Sequence, residues 1–170
     1  MRIRRVKENQ SRQDLAVYLK DHYAGGVAAL ELVDHLIEEH QDDPLQTFFC
    51  RLREEIQSDH DQLCRLIERL GDEDSSLRNA GAWLAEKLSR IKIGFAASAD
   101  SKLRLLQSLE FLFLGIIGKR SLWRALIEVQ RAWPILGEMD LVRLEVRAKE
   151  QAEKVDAHRL VAACEAFRPA

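Results

Sequence analysis

The chain has 170 residues, 46% apolar and 32% charged, with three prolines, eight glycines and a net charge of −2. That length suits one domain, residues 1–170, with a core large enough to need no staples. The composition favours a helical globular protein over disorder or an all-β fold, and a pI near 6.2 leaves no electrostatic footprint for nucleic acid.

Arg2, Arg4, Arg5 and Lys7 make a small basic N-terminus with no apolar segment after it. It is not expected to act as a secretory signal, and residues 1–10 are expected to be a flexible, solvated end. Ser11, with Asp14 three residues on, reads as a helix cap. The first helix then runs to about His40. Its stripe is Leu15, Leu19, His22, Gly26, Ala29, Val33 and Leu36, at the 3/4 spacing of a packed face. His22 alone breaks the apolar character. It reads either as a core histidine hydrogen-bonded to a neighbouring helix or as a metal or cofactor ligand. Gly25 and Gly26 follow, each costing about 1 kcal/mol relative to alanine inside a helix. A close helix approach or a kink would account for them.

Gln41-Asp42-Asp43-Pro44 stops that helix. Asp43 is the next N-cap, with Pro44 at the first helical position. The second helix runs from Leu45 to Leu70, and Gly71 ends it. Its stripe carries one wrong residue, Asp59, among Phe49, Leu52, Ile56, Leu63 and Leu66. A short connection makes the first two helices antiparallel neighbours. His22 and Asp59 then fall within about a turn of each other, as a satisfied pair or as the arrangement behind a metal-ligating histidine.

Residues 72–100 read as a crossover with one short amphipathic helix, Leu77 to Ile91. The third long helix is expected from about Lys102 to Arg131. Its first half is apolar nearly all round, so it should be buried on more than one side. Glu110 is the only acidic residue there, to be paired, protonated or bound to a cation. The Leu103–Gly118 run is shorter than the roughly 20 apolar residues of a membrane span. Lys119, Arg120 and Arg124 follow and read as solvated or paired. The fourth helix, about Glu138 to Phe167, puts Gln151 and His158 on an apolar face. Its charges, Arg147 among them, read as i,i+4 pairs on a solvated face.

Cys50, Cys64 and Cys164 are odd in number and unclustered. They form neither a disulfide framework nor a zinc motif, and a reducing cytoplasm is the simplest setting. No dinucleotide, P-loop, nucleophile-elbow or His-Glu-x-x-His motif occurs.

Four long helices with one long middle connection give an all-α fold of ferritin-like, antiparallel four-helix-bundle topology. The chain resembles a family of small, uncharacterised bacterial ferritin-like proteins. The matching segments are Tyr18-Leu19-x-Asp21-His22-x-Ala24-Gly25, Trp83-Leu84-x-Glu86-Lys87-Leu88-x-Arg90-x-Lys92, and Leu109-Glu110-x-Leu112-x-x-Gly115-x-x-Gly118-Lys119-x-x-Leu122-Trp123. The wider superfamily often holds two metals through Glu-x-x-His pairs. This sequence has no Glu-x-x-His, so standard di-iron chemistry is not expected. Two functional expectations remain. The first is a non-catalytic bundle acting through protein contacts, as a homodimer or with another protein. The second is a metal- or cofactor-binding bundle, an oxidoreductase remnant, with His22, Glu55, Asp59 and Glu110 around one Fe, Mn or Zn ion. Those side chains could equally form a satisfied core network.

Overall fold

The computed structural model describes residues 2–71 and 101–169, and these form four long helices and no strand. They are α1 (Arg2–Glu39), α2 (Pro44–Arg69), α3 (Ser101–Val129) and α4 (Leu141–Ala166). Two 3₁₀ turns, Gln130–Ala132 and Pro134–Glu138, join the last pair. The expected crossover helix at 77–91 lies outside the described residues.

Local chemistry sets most of the ends. Asp43 is extended and accepts the Leu45 N–H at 2.8 Å, and Pro44 opens α2 as anticipated. Gly71 takes the left-handed conformation, φ 69°, and its N–H closes on Glu68 O. That geometry spares a glycine the Cβ strain that other residues would meet there. Three ends differ from the expectations. α1 starts at Arg2 and passes through Ser11 without a cap, because residues 2–10 hold no proline or glycine to stop it. α3 stops at Val129 because the Pro134 ring would clash with the Gln130 carbonyl of a continuing helix. α4 begins at Leu141 because the Asp140 carboxylate caps the Arg143 N–H at 3.0 Å.

α1 lies against α2 and α3 against α4. Arg12, early in α1, bonds the Leu70 carbonyl at the end of α2, and Asp34 pairs with Arg53 at 2.5 Å. On the second pair, Glu145 takes Arg120 and Glu110 meets Arg159.

The apolar core of the described residues comes in two large blocks, with a small third cluster at Ala24 and Ala28. One gathers Leu19, Leu63, Leu66, Leu122, Trp123 and Leu144. The other gathers Val33, Leu36, Phe49, Leu52, Leu109 and Val155. On α2 the break falls between Ile56 and Leu63, on α3 between Ile116 and Leu122, and on α4 at Ala148–Ala152. Asp59, Lys119 and Gln151 occupy those three breaks, so a polar layer lies between the two large blocks. No described helix is long and apolar enough to cross a membrane. All three cysteines are free.

Candidate functional site

The polar layer is built from three helices. Asp59 of α2 is 1% exposed and Gln151 of α4 is 0% exposed. The Lys119 ammonium of α3 donates to Asp59 Oδ2 and to Gln151 Oε1, each at 2.5 Å. Arg147 of α4 donates through Nη2 to Asp59 Oδ1, and Gln151 Nε2 donates to Asp59 Oδ2 at 3.3 Å. Asp59 therefore has both oxygens engaged by charged donors, the strongest class of such bonds. Burial pushes the Lys119 ammonium below its ordinary pKa, and the Asp59 carboxylate opposes that shift.

Beside this layer lies a cleft of about 210 Å³ between α1, α2 and α3. His22, His60, Asp59, Lys119 and Trp123 line it, together with Gly25, Gly26, Gly115 and Gly118. His60 Nε2 donates to the Tyr23 carbonyl at 3.2 Å, and its ring packs 4.3 Å from the Tyr23 ring. It makes the cross-helix bond that one reading of His22 anticipated. His22 instead sets its ring edge-on to Tyr18 at 4.8 Å. The Trp123 indole Nε1 is buried with no hydrogen-bond partner among the described residues.

The four candidate metal ligands are distributed as follows. His22 and Asp59 line the same cleft. Glu55 pairs with Lys154 at 3.1 Å across α2 and α4. The Glu110 side chain is 50% exposed and meets Arg159 at 3.5 Å, so its charge stays at the surface. Among the described residues no three His, Cys, Asp or Glu side chains gather as a metal-holding group. Sequence reasoning missed Lys119, Arg147, His60 and Trp123. Two of these had a signal. Lys119 continues the 3/4 stripe Leu112, Ile116, Trp123, Leu126, and Arg147 sits three residues after Leu144 and four before Gln151.

Burial lowers the pKa of His22, His60 and His158, with Asp21 opposing it for His22 and the Tyr23 carbonyl for His60. His158 stacks on Phe48, ring centres 4.0 Å apart. All three are thus neutral in the fold at pH values where the unfolded chain, near its ordinary 6.5, already binds protons. The sign follows from linkage: this stability is complete above that value and is lost as pH falls through it toward the folded values. Urea unfolding between about pH 7.5 and about pH 5.5 should show stability declining with acid. The triple variant His22→Gln/His60→Gln/His158→Gln should flatten that decline, and an unchanged slope would assign it elsewhere.

No protein-family profile, curated protein or solved structure matches the chain.

Proposed function

We propose that this chain is a ferritin-like, antiparallel four-helix bundle that works without catalysis, through protein contacts, first with a second copy of itself. A bacterial, cytoplasmic setting belongs to the same reading. The order of contacts supports the topology. Phe49 and Leu52 share a core block with Leu106 and Leu109, while Leu66 and Ile67 share the other with Leu122 and Leu126. α2 and α3 therefore advance together, as the second and third helices of ferritin-like bundles do.

The observation that carries the contact function is the outer surface of α3 and α4. Leu114 is 67% exposed, and Ile117, Val142, Val146 and Leu160 are exposed as well. Light scattering during gel filtration should give about twice the 19.5 kDa chain mass. Leu114→Glu/Ile117→Glu should give monomer with unchanged helical circular dichroism. Monomer for the parent protein at every concentration would sink the self-association reading.

A second reading, a bundle that binds a metal or cofactor through its core histidine and carboxylates, draws on the cleft His22 shares with Asp59. Elemental analysis after loading with Fe(II), Mn(II) or Zn(II) tests it. Near-stoichiometric metal lost in His22→Ala supports it, and metal-free protein under every loading counts against it.

A further inference from the structure

We propose that α4 carries the dimer seam: its outward stripe of Val142, Val146, Lys149, Glu153 and Leu160 packs antiparallel on the same stripe of a second copy, about a two-fold axis at the level of Gln151. This rests on the self-contact reading above and adds the seam, its direction and its register.

The first support is the line these residues form. Single exposed apolar side chains are ordinary on a surface. Here Val142 is 60% exposed, Val146 45% and Leu160 52%. All three lie on the side of α4 turned away from Leu144, Ala148, Gln151 and Val155, which are buried. The steps from Val142 to Val146, Lys149 and Glu153 are four, three and four residues, and Leu160 follows seven residues on. That spacing is the seam of a two-helix coiled coil. It runs about 27 Å along the helix.

The second support is charge complementarity. A two-fold interface must match itself, so residues equally far from the axis meet. Val142 and Leu160 each stand nine residues from Gln151, and Lys149 and Glu153 each stand two. Antiparallel pairing therefore sets Val142 on Leu160 of the second copy at both ends, and Lys149 on Glu153 twice in the middle. Within one chain those two charges form an i,i+4 pair at 3.7 Å, and their side chains are 55% and 65% exposed. Each is open to a further partner. The dimer closes them into a ring of four alternating charges, the kind of network in which exposed ion pairs gain strength. Parallel pairing would set lysine on lysine and glutamate on glutamate, which repel. The charges thus select the direction, and the apolar ends supply the burial.

The third support is the neighbouring helix. Arg120 pairs with Glu145, and Glu110 meets Arg159. Leu114 and Ile117 fall between those levels on α3, beside the middle of the stripe. Both are exposed, and they add apolar surface where the stripe itself contributes only charges.

Sedimentation equilibrium of the full-length chain tests the seam. Lys149→Glu and Glu153→Lys each set like charges opposite one another in the antiparallel pair. Each should weaken self-association at least about tenfold, whereas a parallel pair would be no weaker for either change. An equimolar mixture of the two variants restores both charge pairs, and it should form heterodimer about as tightly as the parent forms homodimer. The double variant Lys149→Glu/Glu153→Lys should recover the parent's self-association by itself. Helical circular dichroism should be unchanged throughout, because both side chains lie outside the core. A parent chain that stays monomeric overturns the contact reading and the seam with it. A parent dimer that either reversal leaves intact, or two variants that stay apart when mixed, overturns the seam alone.

Discussion

Asp59→Ala should destabilise the protein by about 3–5 kcal/mol, the range for removing one partner from a buried ion pair. The residue is 1% exposed and holds Lys119 and Arg147 at once. Truncation leaves two cations facing each other in the core, and Gln151 loses an acceptor. The Arg147 Nε is already buried without a partner among the described residues, so that side chain has little slack. Urea unfolding monitored by circular dichroism measures the loss, which corresponds to about 2–4 °C in melting temperature per kcal/mol for a chain of this size. Replacing the whole layer should behave differently. Asp59→Leu with Lys119→Met, Arg147→Met and Gln151→Leu removes every charge together, so it should recover most of the stability or exceed the parent. A loss below about 1 kcal/mol for Asp59→Ala would show that both cations simply swing their long stems to solvent.

Gly25 and Gly26 should respond to alanine in opposite directions. A Cβ on Gly25 meets nothing within 4 Å among the described residues, so Gly25→Ala should stabilise α1 by up to about 1 kcal/mol through helix propensity. A Cβ on Gly26 would lie 2.5 Å from His60 Cδ2. The ring cannot retreat freely, because its Nε2–H is bonded to the Tyr23 carbonyl and its face lies on the Tyr23 ring. Gly26→Ala should therefore cost about 1–3 kcal/mol, the usual scale of overpacking. A double-mutant cycle isolates the cause. In a His60→Ala background the same Gly26→Ala change should turn neutral or stabilising. If it stays equally destabilising there, the clash with His60 is not the reason for the glycine.

The legible parts of this protein are those governed by neighbours in the chain. Asp43 and Pro44 start α2 and Gly71 follows it because capping bonds and backbone strain act within four residues. The α2 stripe is buried nearly residue for residue, Asp59 included, because helical spacing alone fixes which side chains share a face. Gln151 on α4 was readable in the same way. α3 was not. It is apolar nearly all round, so its sequence carries no angular signal. The carboxylate in its apolar half, Glu110, proved to point outward to Arg159, while the buried cation was Lys119, one turn beyond that half. The glycines misled for a related reason. Helix–helix approach accounts for Gly26, yet Gly25 borders open space among the described residues, and only the neighbouring helices distinguish the two cases.

The sequence by itself determined four long helices, most of their ends, and a buried carboxylate midway along the second. The tertiary structure decided who answers that carboxylate. Lys119, Arg147 and Gln151 lie 60, 88 and 92 residues away in the chain, and their meeting depends on the axial register of three helices. A shift of one turn, about 5.4 Å, would break every one of these bonds. Local periodicity fixes the face a residue lies on but carries no information about its height along a partner. That height is set by the packing of the two apolar blocks above and below, which bring Asp59, its partners and the cleft beside them to one level.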